Sequence, residues 1–307
     1  MKTFKPIIPD ALSGDTLLLT GGSGYVGRHL VKALVLEGIS PVLIGRPNHK
    51  PVAPEGTRVL RWNDPSDLAE GIQSLPSPVM LNIAGHFVSR HEPSDVSDLV
   101  DGNVSFPLAI FEACALTGID RIINIGTSWE YGDDGTPEPA NLYAALKASN
   151  ARLLEHYARQ SPLRAINVKL NDTYGGDDTR AKLMPLLKAA WLEGHEMRLR
   201  APAQSINLLH ITDVIEGLLA AAAETGRRSS SATVPEAFLL ARETTNIGTI
   251  VAHLQDGIAP TLKASFDEPK RSASDLRAVW DAAPRLASWQ SRVSLENGLR
   301  DYFGDVS

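Results

Sequence analysis

Apolar residues fall into short unbroken runs that alternate with longer stretches of helical period. Thr16–Thr20 is a strand closed by glycines, and from Val26 to Leu36 the apolar positions recur at helical spacing, with Gly38 as the stop. The same reading predicts strands at Pro41–Ile44, Arg58–Trp62, Val79–Ile83, Asp120–Ile125 and Ala165–Leu170. Long helices are predicted at Asn103–Ala115 and Leu142–Ala158, and Thr225–Ser231 reads as a polar surface excursion. Strands alternating with helices imply a parallel sheet covered on both faces, an α/β doubly wound architecture. In such sheets ligands bind beyond the carboxyl ends of the strands, so the informative residues are those that follow each strand.

The chain's 307 residues suit one large unit or a core domain with a smaller lobe, and 43% hydrophobic with 21% charged is a soluble globular balance. Thirty Lys and Arg against 36 Asp and Glu leave a net charge of −6, which gives no electrostatic affinity for nucleic acid or anionic lipid. Cys114 is the single cysteine, which excludes an internal disulfide and a thiolate metal cage. It reads as a buried small hydrophobe. No His/Asp/Glu cluster has metal-ligand spacing, so no metal is expected. No window approaches the ~20 apolar residues of a bilayer span. Prolines and an acid interrupt the first ten residues where a signal peptide needs an apolar run, and the expectation is a cytoplasmic protein.

Chemistry starts at Thr20-Gly21-Gly22-Ser23-Gly24-Tyr25-Val26-Gly27, a G-x-x-G-x-x-G turn between the first strand and the first helix. One glycine makes the tight turn, one lets backbone N–H groups approach a pyrophosphate, and one lets helix and strand pack closely. Cofactor contacts are expected from Gly21, Gly24, Tyr25, Val26 and Gly27. Eighteen residues past Gly27 an NAD site usually carries an acid, but here the chain reads Ile44-Gly45-Arg46. Arg46 can pair with a 2′-phosphate, which favours NADP(H) over NAD(H). Asp64 closes the third strand, where an acid can accept from the adenine amino group, or it is a turn aspartate.

Tyr143-Ala144-Ala145-Leu146-Lys147 puts a phenol and an ammonium on one helix face, a turn apart. On this reading the ammonium lowers the phenol's pKa and makes it a proton donor and acceptor near neutral pH. Thr127 ends the preceding strand with a hydroxyl aimed at the same substrate oxygen, and Ser128 is its fallback.

Together the glycine turn, Thr127 and the Tyr143/Lys147 pair resemble the extended branch of the short-chain dehydrogenase/reductases, over nearly the whole chain. Asn82-Ile83-Ala84-Gly85 is similar to that family's loop after strand four, and Asn103 to its helix-borne asparagine. His210–Val214 and Trp289–Leu299 are similar to its downstream landmarks. The resemblance implies a Rossmann sheet with Tyr143 as general acid/base, Lys147 also on the nicotinamide ribose, and Thr127 orienting the carbonyl. Ala84 and Gly85 are implied to line the cofactor. Residues 1–174 and 204–242 are expected to form the dinucleotide-binding domain, with Leu208–His210 returning to the sheet; 175–203 and 243–307 form a smaller substrate lobe. Helices 103–116 and 142–158 are implied to pair across the two-fold of a homodimer.

Ser128-Trp129 stands where the family's 4,6-dehydratases carry an acid pair, which argues against dehydration. Residues 170–185 and 204–207 are most similar to nucleotide-diphosphate-sugar 4-ketoreductases of the CDP-abequose synthase type. The implied substrate contacts are Ser128, His86, Asp172, Arg180, Lys182 and Gln204. One departure is Ile206, where many members carry a phosphate-gripping arginine, with Arg198 or Arg200 as substitutes. The leading expectation is NADPH-dependent reduction of a nucleotide-linked 4-keto-6-deoxy sugar. The alternatives are an NAD-dependent 4-epimerase, a reductase of a small non-nucleotide ketone and, outside enzymes, a dinucleotide-sensing regulator.

Overall fold

The computed structural model describes residues 4–47, 53, 57–227, 236–267, 279–281 and 283–304. Its first half runs β1 (Thr16–Thr20), α1 (Tyr25–Leu36), β2 (Val42–Ile44), β3 (Arg58–Leu60), α2 (Pro65–Gln73) and β4 (Pro78–Asn82). Then come α3 (Val96–Val100), α4 (Phe106–Thr117), β5 (Arg121–Thr127), α5 (Leu142–Gln160) and β6 (Arg164–Leu170). The second half adds β7 (Asp172–Tyr174), α6 (Leu183–Glu193), β8 (Met197–Leu199), β9 (Ser205–Ile206), β10 (Leu208–His210) and α7 (Ile211–Arg227). It closes with β11 (Glu236–Leu240), β12 (Thr245–Asn246), α8 (Ile247–His253), β13 (Ala264–Phe266) and α9 (Leu295–Phe303).

Seven strands form one sheet in the order β11-β6-β5-β4-β1-β2-β3, and every pair in it is parallel. The expected doubly wound sheet is therefore present. Its order reverses between β1 and β4, which opens a crevice at their carboxyl ends. Period-two alternation sorts the strand side chains between two cores. Leu17, Leu19, Leu81, Ile123 and Val168 pack with α1 and α7, while Leu18, Met80, Ile122 and Ala165 pack with α2, α4 and α5.

By the same alternation Thr20, Asn82, Asn124 and Asn167 lie on the α5 side, side by side across four strands. Thr20 Oγ1 donates to Asn82 Oδ1 (2.8 Å), Asn82 Nδ2 to Asn124 Oδ1 (2.8 Å), and Asn124 Nδ2 to Asn167 Oδ1 (2.9 Å). The buried amides of Asn82 and Asn124 are thereby paired at both ends. Thr20 Oγ1 also accepts from the Ala84 N–H (3.1 Å), which ties the ladder to the loop after β4.

A third core holds the lobe, gathered from Tyr174, Met184, Leu187, Ile206, Leu208, Ile250, Leu254 and Leu299. Here the expected boundary needs correction. Leu208–His210 does not return to the large sheet: β10 pairs with β7, and β9 pairs with β12. The return is made by α7, whose Val214, Ile215 and Leu218 join the α1-side core, and by β11 on the sheet's edge. Of the expected polar excursion, Thr225 to Arg227 complete α7, and residues 228–231 lie outside the described residues.

Pro93–Thr117 is one continuous helical run of 25 residues that by length and composition alone is apolar enough to cross a membrane. It contains the π turn Asp101–Ser105, and Phe106, Ile110, Phe111 and Cys114 on it are packed into the core beside α2 and α5. Burial pushes the Cys114 thiol up to about 12, in keeping with an inert packing residue.

Candidate active site

The glycine turn is built by close approach. Gly21 has φ +70°, and a Cβ there would stand 2.8 Å from the backbone of Ala84. Gly24 N–H donates to Gly21 O (2.9 Å). Gly24 caps α1 with no side-chain bond to its first turn, so the free N–H groups of the helix start face the crevice.

The crevice is a cleft of about 350 Å³. Gly21, Gly24, Tyr25, Val26 and Gly27 line one end, Arg46 its rim, and Ala84, Gly85 and His86 its wall. A bare helix start and a wall of glycine and alanine are what a dinucleotide needs, so these residues fit one. Arg46 is exposed and forms no ion pair among the described residues. Asp64 does not reach the cleft. Its Oδ1 accepts from Ser66 N (2.8 Å) and Asp67 N (3.0 Å) as the N-cap of α2, with Pro65 at the first helical position, which is the turn-aspartate role left open by the sequence.

α5 delivers the reactive pair. Asn141 caps it by accepting from Ala144 N (2.9 Å), which fixes the turn that carries Tyr143. Tyr143, Lys147 and Thr127 all line the cleft. The Lys147 ammonium is buried and donates to Ala84 O (3.4 Å). Asn103, within the π turn, accepts from His86 N (3.2 Å) and donates to His86 O (2.8 Å), so it holds the wall of the cleft.

The electrostatics differ from the expected coupling. Burial, with the Glu130 carboxylate adding to it, pushes the Tyr143 phenol above its ordinary value, and only Arg180 opposes this. Burial pushes Lys147 down to about 8, the Glu130 carboxylate supports its charge, and Lys169 opposes it. Desolvation thus outweighs the opposing Arg180 charge, and Tyr143 stands as a protonated donor.

A second compartment of about 430 Å³ continues from the cleft through Phe87, Trp129, Asn171, Asp172 and Lys182, which line both. Ser128 and Gln204 line it too, with Tyr131, Ile206 and Trp280. Lys182 Nζ sits 4.4 Å from the Phe87 ring centroid and 3.3 Å from Asp172 Oδ1. Arg180 lines the main cleft with Tyr143 and Lys147, outside the second compartment. It pairs with Asp178 (2.7 Å), donates to Thr173 O (2.7 Å) and lies 3.6 Å over the Tyr25 ring, on the glycine-turn side. Arg198 pairs with Glu196 and Asp267 at the surface, Arg200 is exposed, and neither substitutes for an arginine at Ile206. Among the described residues, no group of three His, Cys, Asp or Glu is placed to hold a metal.

Sequence reasoning missed Glu130, Lys169 and Asn171. Thr127-Ser128-Trp129-Glu130 is a capping-box pattern, and Glu130 does accept from Thr127 N (2.8 Å). Asn171 is buried with its Nδ2 unpartnered, and it stands where the two compartments meet.

A switch-point crevice with a glycine turn, facing a tyrosine–lysine pair on the helix after β5, defines a dinucleotide-dependent oxidoreductase on a Rossmann sheet. The chain belongs to the NAD dependent epimerase/dehydratase family, whose model matches residues 17–234. It is 28% identical over 204 residues to a CDP-abequose synthase of Yersinia pseudotuberculosis, spanning 66% of this chain and 71% of that one. Among solved structures, MoeE5 in complex with UDP-glucose and NAD superposes with a TM-score of 0.78 at 19% identity, covering 94% of this chain and 97% of that one. The UDP-glucose 4-epimerase of Thermotoga maritima superposes with a TM-score of 0.77 at 18% identity, covering 94% and 97%.

Proposed function

We propose that the protein reduces a ketone with NADPH, the substrate being a nucleotide-diphosphate-linked 4-keto-6-deoxy sugar. The observation that carries this reading is Tyr143 one helical turn from a buried Lys147, with the Thr127 hydroxyl, all lining the cleft that begins at the glycine turn. The glycine turn and Arg46 would hold the dinucleotide, which supplies the hydride when bound. Thr127 donates to the carbonyl oxygen and orients it. Tyr143 passes its proton to that oxygen as negative charge develops there, and the Lys147 ammonium stabilises the phenolate left behind. Trp129 supports reduction over dehydration: it lines the cleft where an acid would be needed to abstract a proton and eject water. The likeness to CDP-abequose synthase supports the nucleotide sugar. Lys182 and the bare start of α6 are the groups available to a diphosphate.

Mixing the protein with NADPH and a nucleotide-linked 4-keto-6-deoxy sugar tests this, by loss of absorbance at 340 nm. The epimerase reading, supported by the resemblance in fold to the Thermotoga enzyme, instead requires protein purified with NAD that interconverts saturated nucleotide hexoses and consumes no NADPH. The small-ketone reading takes support from Ile206, which lines the second compartment where a phosphate-gripping arginine would stand. We further infer a cytoplasmic homodimer in which α4 and α5 meet their copies, since Leu108 and Leu116 on α4 are 37% and 51% exposed.

Arg46 gives a direct test of the cofactor. With Arg46→Ala, NADPH affinity is expected to fall about tenfold and NADH affinity to hold, measured by fluorescence titration. Equal loss of both would remove the 2′-phosphate role. The pH profile follows from Lys147, whose value in the folded protein is about 8. Below that pH the ammonium is present and Tyr143 is protonated, so the reduction rate is expected to be flat there and to fall as pH rises through about 8. A rate that rises across that interval would contradict the assignment.

A further inference from the structure

Glu130 and Lys169 form a buried ion pair that the chemistry above does not use. Lys169 Nζ donates to Glu130 Oε2 at 2.5 Å, and the two side chains are 1% and 2% exposed. Neither lines the main cleft; both border a separate cavity of about 290 Å³ with Asn167. The other carboxylate oxygen accepts from the Thr127 N–H (2.8 Å), and Thr127 Oγ1 accepts in turn from Trp129 N (3.3 Å).

Lys169 is the register partner of Gly126, and a Cβ at Gly126 would stand 2.7 Å from its ammonium, so only glycine leaves room for the pair. By strand alternation Lys169 continues the polar face of Asn167, beneath α5 and the side chain of Lys147. Two buried charges are expensive to desolvate, and such a pair adds little stability over apolar residues of the same size. Its place, three residues past Thr127 and under the reactive helix, gives it a different use.

We propose that Glu130, held by Lys169, is a positioning residue for the reaction: it fixes the strand end that carries the Thr127 hydroxyl, and its carboxylate supports the Lys147 ammonium while Lys169 opposes it. This rests on the reading of Tyr143, Lys147 and Thr127 as the reactive centre. Among the described residues the charged groups that act on that centre are Glu130 from the turn after β5, Lys169 from β6 and Arg180 from the loop after β7, while Arg46, Asp172 and Lys182 line the cleft elsewhere. Arg152 and Glu155 also border the cavity, but they pair with each other on α5 (2.8 Å). Glu130 favours the Lys147 ammonium and Lys169 disfavours it, so neutralising one or the other moves Lys147 in opposite directions.

The test is a lysine side-chain NMR titration of Lys147 in the full chain, without substrate, assigned with Lys147→Met. In the native protein the midpoint is expected at about 8. Glu130→Gln keeps a group able to accept from Thr127 N–H, yet it is expected to lower the midpoint by at least about half a pH unit. Lys169→Gln is expected to raise it by a similar amount, and the double variant to return it toward the native value. Should a single variant fail to fold, Glu130→Ala combined with Lys169→Met, which leaves neither a lone buried charge nor an acceptor for the Thr127 N–H, is compared with the native protein by kcat. Loss of the fixed strand end is then expected to lower kcat about tenfold or more with the dinucleotide Kd unchanged.

Shifts of the same sign in the two single variants, no shift in either, or an unchanged kcat in Glu130→Ala/Lys169→Met would overturn the proposal. The ketoreductase reading fails separately, by no NADPH consumption with any keto sugar, while the opposed shifts persist.

Discussion

Tyr143→Phe is expected to lower kcat about 10³-fold while leaving dinucleotide affinity within about twofold of the native value. The reason lies in where the hydroxyl stands. Burial and the Glu130 carboxylate keep it protonated, so it arrives at the carbonyl as a donor and needs no prior proton uptake. The ring itself packs edge-on against Phe87 at 5.1 Å, and a phenylalanine keeps that contact and the shape of the cleft. What is lost is the single proton that must reach the substrate oxygen as hydride arrives at carbon. Thr127 and Lys147 remain, so the residual rate reports how much orientation and charge achieve alone. The measurement pairs single-turnover kinetics with a fluorescence titration of NADPH. A fall in affinity with kcat unchanged would make Tyr143 a binding residue only and would pass the proton donor's role to another group.

Much of this was readable before any coordinates. Buried parallel strands are written as apolar runs, which is why β1 and β6 fall within a residue of their expected positions. The glycine turn and the Tyr143/Lys147 pair are local in sequence, and local spacing fixes local geometry. The misreadings occur where a short-range partner was overlooked or a long-range one was needed. For Asp64 the sequence leaves an adenine contact and a turn role open, and Pro65 and Ser66 beside it are the local signal of the helix cap that the structure shows. The position of Arg180 within the cleft depends on Asp178, two residues away, and on the Tyr25 ring, a contact distant in sequence that no local spacing shows. The three-residue strand Leu208–His210 carries no signal that it pairs with Asp172–Tyr174 and not with the sheet. Spacing also suggests that Lys147 lowers the phenol's pKa, because sequence places the ammonium without its burial. Desolvation is a property of the packed helix.

Gly27→Ala is expected to abolish measurable dinucleotide binding, a loss of at least about 100-fold, and to lower Tm by several degrees. The helix start and the turn touch at this residue. An added Cβ would collide with the Gly21 carbonyl and stand 2.8 Å from Gly22 Cα, and both neighbours are backbone that no rotamer change can move aside. Relief requires α1 to lift from β1, yet Leu30, Val31 and Leu34 on α1 are fully buried in the core it shares with α7. The helix therefore resists, and the strain falls on the turn, whose Gly24 N–H to Gly21 O bond sets the spacing of the N–H groups offered to a pyrophosphate. Gly257→Ala is the matched control: its φ is ordinary and nothing lies within 4 Å of the new methyl, so stability and binding are expected to stay native. Isothermal titration with NADPH and NADH, beside thermal melts of both variants, separates the outcomes. If Gly27→Ala melts several degrees lower but binds as the native chain does, the turn is a packing device and the dinucleotide lies elsewhere. If it neither melts lower nor loses binding, α1 is free to move, and the close approach at Gly27 has no part in shaping the cleft.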